Sequence, residues 1–226
     1  MKKVILILIL FLSCYFIYNK TINEKIYYLT IGDYLSKGTN ENGSNSYGYN
    51  NYIKNYLKKN KMLDEFNETF TNDDYRIIDI IKILEYNEKK EKTSLNYMIK
   101  RANVISLSLG MNELYYKISK DTKNIYTYID VMINNYDKIL SYINLFHNKK
   151  VFVLGYYNVT GDYNDVFDYA NYKLKTLCNK YNFTFIDLSN LFDNNPTYFD
   201  IENSIIPNEK GYEKISQIII EKFKNN

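Results

Sequence analysis

Tryptophan is absent from this 226-residue chain, proline and cysteine occur twice each, and there is one histidine. These scarcities exclude several classes of protein. The two cysteines, Cys14 and Cys178, fall one in the apolar N-terminal run and one far downstream. A disulfide framework is therefore not expected, and no metal-ligand spacing exists. Formal net charge is +3, and Lys2 and Lys3 supply much of it. The remaining charge is nearly balanced, and no Lys/Arg cluster is expected to form one face, so nucleic acid is not an expected partner. Lys89, Lys90 and Lys92 alternate with Glu88 and Glu91 and read as a solvated turn. No internal repeat, low-complexity linker, cofactor motif or second domain is visible.

What is present is tyrosine, asparagine, lysine and isoleucine, the bias of an AT-rich bacterial coding sequence and not a binding signature. Hydrophobic residues make up 46% of the chain and recur in runs throughout, which predicts a folded domain in spite of the Asn/Lys content. The length suits one domain with a short appendage.

The appendage is residues 1–24. Lys2 and Lys3 precede an apolar run from Val4 to Tyr18, interrupted only by Ser13 and Cys14. A basic start followed by such a run reads as a signal segment or an N-terminal membrane anchor. No small-residue cleavage site follows, so an uncleaved anchor with the domain on the extracytoplasmic side is the first expectation. The alternatives are a lipoprotein attached through Cys14, in a degenerate lipobox Phe11-Leu12-Ser13-Cys14, and a secreted protein.

Residues 25–226 alternate short apolar runs with amphipathic ones. Strands are predicted over Ile26–Ile31, Val104–Leu109, Val151–Leu154 and Phe183–Leu188. Helices are predicted at Tyr49–Leu57, Ile77–Leu84, Leu95–Arg101, Ile125–Phe146, Val166–Tyr181 (Cys178 on the apolar face) and Glu209–Phe223. Buried strands alternating with helices imply an α/β three-layer sandwich around a parallel sheet, and ligands bind such sheets beyond the carboxyl ends of their strands.

Three segments at those ends carry a resemblance. Ile31-Gly32-Asp33-Tyr34-Leu35-Ser36 looks like a GDSL block, Ser108-Leu109-Gly110-Met111-Asn112-Glu113 like a GxND block, and Ile206-Pro207-Asn208-Glu209-Lys210-Gly211-Tyr212 like the end of a D-x-x-H block. In this order they resemble the SGNH (GDSL-type) hydrolases over roughly Tyr27 to Phe223. The resemblance implies a flavodoxin-like sandwich with a roughly five-stranded parallel sheet, and an esterase or lipase mechanism. In that mechanism a serine attacks an ester carbonyl, a histidine takes its proton, an aspartate orients the histidine, and backbone N–H groups with an Asn hold the oxyanion.

The triad positions hold Tyr34, Asn203 and Ile206 instead. A phenol with an ordinary pKa near 10 is a poor nucleophile at neutral pH. Isoleucine accepts no proton, and asparagine carries no charge to steady an imidazolium. Where a block II glycine is expected stands Asp73-Asp74-Tyr75-Arg76. The oxyanion-like or pocket residues that remain are Asp33, Gly110 and Asn112, together with Tyr34. Turn-capping is the bland role for Asp33 and Asn112, and backbone geometry the bland role for Gly110 and Gly211. Tyr34 then plugs the pocket. Tyr47, Tyr49, Tyr115, Tyr116, Tyr156 and Tyr157 are candidates for lining a cleft.

The sole histidine, His147, precedes the Val151–Leu154 strand and belongs at the opposite edge of the sheet. The leading expectation is a catalytically inactive, membrane-tethered protein that binds an acyl, glycan or cell-wall ligand. The alternatives are an acyl hydrolase that recruits Ser36, Asp200 or Glu202, with Ser36 expected at the start of the first helix, and a purely structural scaffold.

Overall fold

The computed structural model describes residues 25–44, 46–146, 150–193 and 195–225. The expected anchor with Cys14, and His147, lie outside the described residues. Among the described residues no helix is long and apolar enough to cross a membrane, and no acidic, His or Cys cluster could hold a metal ion.

The chain runs β1 (Ile26–Gly32), α1 (Tyr34–Lys37), α2 (Tyr49–Lys59), β2 (Leu63–Asn67) and α3 (Ile77–Glu85). A small hairpin of β3 (Lys89–Lys90) and β4 (Thr93–Ser94) leads into α4 (Leu95–Arg101) and β5 (Val104–Ser108). Then follow α5 (Met111–Lys120), α6 (Ile125–Asn144), β6 (Lys150–Leu154), α7 (Asn164–Lys180), β7 (Thr184–Ile186), α8 (Ser189–Phe192), a 3₁₀ turn (Pro196–Tyr198) and α9 (Glu209–Asn225). The main sheet is five-stranded in the order β2-β1-β5-β6-β7, with every neighbouring pair parallel. Helices cover both faces, so β1 and β5 are buried along their whole length. That double burial is why their sequences are continuous apolar runs and do not alternate. The longest helix, α6, turns Ile129, Met132, Ile133, Tyr136, Ile139, Leu140 and Ile143 inward at helical spacing.

The fold class, a three-layer α/β sandwich with a five-stranded parallel sheet, is the expected one. β2 and α5 are the longest of the elements that were not anticipated. Leu63-Asp64-Glu65-Phe66-Asn67 forms β2 at the sheet edge, where half-exposure allows two acids and removes the apolar-run signal. Helix α5 follows β5 directly. Its signal, Met111, Leu114, Tyr115 and Ile118 at i, i+3, i+4 and i+7, is present, but no helix is among the expectations there. The lysine-rich stretch is a turn as expected, with Glu91 and Lys92 at φ +48° and +69° between β3 and β4.

Lys25, Lys61 and Lys150 are linked at the strand starts through the Lys61, Lys25 and Asn103 carbonyls. A wholly parallel sheet gathers all its strand starts, and the ends of the helices that return to them, at one edge.

Candidate functional site

Strand order reverses between β1 and β5: from β1 the chain goes outward to β2 on one side and to β5, β6 and β7 on the other. In an open parallel sheet the crevice at such a reversal, beyond the strands' carboxyl ends, is the usual ligand site. Here the Gly32-Asp33-Tyr34 and Leu109-Gly110-Met111-Asn112 segments face each other across it. Above them lies a groove of about 640 Å³ lined by Tyr34, Thr39, Gly43, Asp73, Asp74, Arg76, Asn112, Glu113, Tyr116, Tyr128, Ile205 and Ile206.

Tyr34 forms part of the groove floor but is only 3% exposed. Its hydroxyl lies 3.1 Å from that of Tyr157. The Tyr157 hydroxyl donates to the Ile205 carbonyl, and a phenol has one proton, so Tyr34 must be the donor to Tyr157. The result is a closed relay, Tyr34 to Tyr157 to a backbone carbonyl, with no base in it. Burial, aided by Tyr157 and Asp33, pushes the Tyr34 phenol well above its ordinary pKa. The buried Tyr157 is shifted the same way. A nucleophilic phenolate at position 34 is thus opposed by desolvation, by neighbouring charge and by its hydrogen bond.

The relay predicts an asymmetry. Tyr157→Phe orphans both the Tyr34 hydroxyl and the Ile205 carbonyl and is expected to cost roughly 1–3 kcal/mol, whereas Tyr34→Phe removes a single donor and is expected to cost about 1 kcal/mol. Urea denaturation of the two variants checks the order.

Asp33 lies beneath the groove, fully buried, as the N-cap of α1. Its Oδ1 accepts from the Leu35 N–H at 3.2 Å and from Ser108 Oγ at 2.7 Å. Its Oδ2 is buried without a partner. Desolvation outweighs these hydrogen bonds and raises the carboxyl pKa to about 7. Ser36 is the third residue of α1, not its first, and it points down into the protein. Its Oγ donates to the Ile31 carbonyl and lies 2.8 Å from Ser108 Oγ and 3.1 Å from the Tyr49 hydroxyl. Tyr49 continues this buried hydroxyl network to Ser106. Ser36 is thus a structural hydroxyl with no access to the groove.

The other motif residues separate in space. Asn112 lines the groove, with one amide N–H given to the Asp73 carbonyl at 2.7 Å. Gly110 is the N-cap of α5 at φ +95°, where a Cβ would come 2.8 Å from the Tyr156 hydroxyl; its role is backbone geometry. Ile206 faces the groove, but Asn203 faces a different cavity of about 540 Å³, with Asp200, Glu202 and Phe199. Asn203 itself adopts a left-handed conformation at φ +62°. Asp200 accepts from the Asn208 side chain at 3.1 Å, and no hydrogen bond joins Asp200, Glu202 or Ser36 to Tyr34 or Asn112 among the described contacts. Tyr212 ties α9 to the α1 turn by donating to the carbonyls of Thr39 (2.8 Å) and Tyr34 (3.3 Å).

Of the candidate tyrosines, Tyr116 lines the groove and is 66% exposed. Tyr49, Tyr156 and Tyr157 are core residues, Tyr115 is half-buried, and Tyr47 stacks edge-on against Tyr52 at the surface. The sequence reading missed Thr39, Arg76, Glu113 and Tyr128 as groove residues. Thr39 donates to the Asp73 carboxylate, and Glu113 accepts from the Ile77 N–H at 3.0 Å. Burial raises the Glu113 carboxyl above its ordinary pKa. Glu113 closes the GxND-like segment and was within sight of the motif; Thr39 and Arg76 come from loops with no local signature, and Tyr128 from the first turn of α6.

No family model matches the chain, and no curated protein matches it. Solved structures do. The acetylxylan esterase Axe2 from Geobacillus stearothermophilus superposes with a TM-score of 0.69 at 14% identity, covering 89% of this chain and 95% of that one. A GDSL-like lipase from Parabacteroides merdae ATCC 43184 gives 0.67 at 13% identity, covering 90% and 98%. Catalytic mutants of Axe2 replace a Ser, an Asp and a His, the last two three positions apart. The chain has the SGNH/GDSL hydrolase-type fold.

Proposed function

We propose that this chain is a non-catalytic SGNH-fold binding protein, held on the extracytoplasmic side of a membrane by residues 1–24, whose groove takes a glycan or acylated glycan. The closed Tyr34–Tyr157–Ile205 relay carries this reading. It occupies the place where the resemblance would put a serine nucleophile and leaves its phenol neither charged nor beside a base. By the same motif match, the positions of the catalytic Asp and His are held by Asn203 and Ile206, which open on different cavities.

The groove itself suits a ligand. Its volume is in the range that holds small organic molecules. Tyr116 and Tyr128 offer ring faces, while Asp73, Asp74, Arg76 and Asn112 offer hydrogen-bonding groups for hydroxyls. The sugar esters named for the esterase neighbours support the ligand class by analogy of fold.

The full chain is expected to hydrolyse p-nitrophenyl acetate at the buffer rate and to bind acetylated xylo-oligosaccharides in a calorimetric titration. Tyr116→Ala is expected to weaken that binding about tenfold, in keeping with the roughly 1–3 kcal/mol of burying an aromatic face. Hydrolysis above background that Tyr34→Phe abolishes would overturn the reading.

A further inference from the structure

We propose that the amino edge of the sheet, opposite the groove, is a docking face for an anionic phospholipid surface and holds the domain with its groove pointing away from the membrane. This rests on the anchored reading above and adds the surface that orients the domain.

The edge is continuous. Lys25, at the start of β1, donates to the Lys61 carbonyl at 2.8 Å, and Asn103 donates to the Lys25 carbonyl at 2.9 Å. Lys150, at the start of β6, donates through its N–H to the Asn103 carbonyl (3.3 Å) and through Nζ to the Phe223 carbonyl (3.0 Å). Lys224 lies over the Tyr56 ring at 5.3 Å, and Lys100 over the Phe146 ring at 4.9 Å. Lys58, Lys59, Arg101 and Lys222 join them at the ends of α2, α4 and α9. Of the acids adjoining these residues in sequence, Asp64, Glu65 and Glu221, Glu65 is already paired with Arg101 at 2.8 Å. The groove edge is mixed in charge, with Asp73, Asp74, Asp200 and Glu202 beside Lys37, Arg76 and Lys210.

Lysines in the last turn of a helix are ordinary complements to its dipole. That accounts for part of the cluster but not for Lys25, Lys61 and Lys150, which lie outside helices. Nor does it account for the apolar groups beside them: Leu145 is 74% exposed, Tyr97 52% and Phe146 40%. Basic side chains interleaved with exposed apolar and aromatic ones are the composition of a surface that sits at a headgroup layer.

The chain outside the described residues points the same way. Its apolar run, Val4 to Tyr18, has 15 residues, short of the roughly 20 that span a bilayer core, so a second, electrostatic attachment adds what the run lacks. Six residues, 19–24, separate the run from Lys25. Fully extended they reach about 20 Å, which keeps this edge beside the membrane.

The test uses the full chain incorporated in nanodiscs of phosphatidylcholine alone or with 30% phosphatidylglycerol, and amine-labelling rates read by mass spectrometry. In the anionic discs Lys25, Lys61, Lys100 and Lys224 are expected to label about fivefold more slowly than in neutral discs. Lys37, Lys120 and Lys210 at the groove edge are expected to keep their rates, and 0.5 M NaCl to remove the difference. Equal rates in the two discs, or protection shared by both edges, would overturn the proposal while leaving the anchor intact. A chain that fails to enter either disc defeats the anchored reading, and the proposal falls with it. Protection of the same lysines by an RNA oligonucleotide in neutral discs, with none from anionic lipid, would overturn it in favour of nucleic acid.

Discussion

Gly32→Ala is expected to destabilise the domain by more than about 4 kcal/mol, enough to leave little folded protein at 37 °C. Gly32 ends β1 at φ +145°, a conformation that L-residues rarely adopt, and a Cβ built on it would come 1.9 Å from the Ser108 carbonyl oxygen. Neither side of this contact can yield. The Gly32 N–H donates to the Phe70 carbonyl at 3.1 Å and its carbonyl accepts from the Asn72 N–H at 2.9 Å. Ser108 is fixed by the adjoining Asp33 N–H, which donates to its carbonyl at 2.9 Å. A methyl group would have to part β1 from β5 at the floor of the groove. Gly43→Ala is the control. Gly43 also has a positive φ, +72°, but nothing lies within 4 Å of the Cβ position, so only the backbone strain of roughly 1–2 kcal/mol is expected. Chemical denaturation of the two variants separates strain from collision. Equal losses would show that the close approach of β1 to β5 is not what Gly32 serves.

This glycine also marks how far the sequence was legible. Gly32, Gly110 and Gly211 stood out as motif glycines, and the apolar runs before the first two located β1 and β5, because double burial imposes continuous hydrophobicity. Edge strand β2 was invisible for the converse reason: none of its five residues is fully buried. The site was legible as a set of positions and not as an arrangement. Asp33, Tyr34, Asn112 and Ile206 were named, yet nothing local says that Tyr157, 123 residues from Tyr34, receives its proton. Nor does spacing reveal that Asn203 and Ile206, three residues apart, open on separate cavities. The basic edge was hidden in the same way. Its lysines are distant in sequence, and only a wholly parallel sheet brings them together.

Raising the pH from 5 to 8 is expected to destabilise the protein, and Asp33→Asn to remove most of that loss. The Asp33 carboxyl has a pKa raised from 3.8 to about 7, chiefly by desolvation, with Glu113 adding to the shift and the bonds from Ser108 and the Leu35 N–H opposing it. An acid whose folded-state pKa lies above its unfolded value binds its proton more tightly when folded. Its contribution is therefore fully present below about pH 4 and is lost as the pH rises through about 7. At roughly 1.4 kcal/mol per unit, the whole effect is at most on the order of 4 kcal/mol, of which about 3 kcal/mol falls between pH 5 and pH 8. The raised carboxyls of Glu113 and Glu68 act in the same direction. The lowered carboxyls of Asp121, Asp130 and Asp137 act oppositely but are exposed or nearly so, and contribute little. Asparagine keeps an oxygen for the Leu35 N–H and Ser108, and places an uncharged amide where Oδ2 has no partner. It therefore imitates the protonated acid. Unfolding free energies at pH 5 and pH 8 for the two proteins give the answer, and a pH slope unchanged in Asp33→Asn would show that Asp33 is ionised in the fold. Below about pH 7 the Asp33 carboxyl is mostly protonated in the fold, chiefly because burial disfavours the carboxylate. The residue then holds α1, and with it Tyr34, in place as a neutral cap.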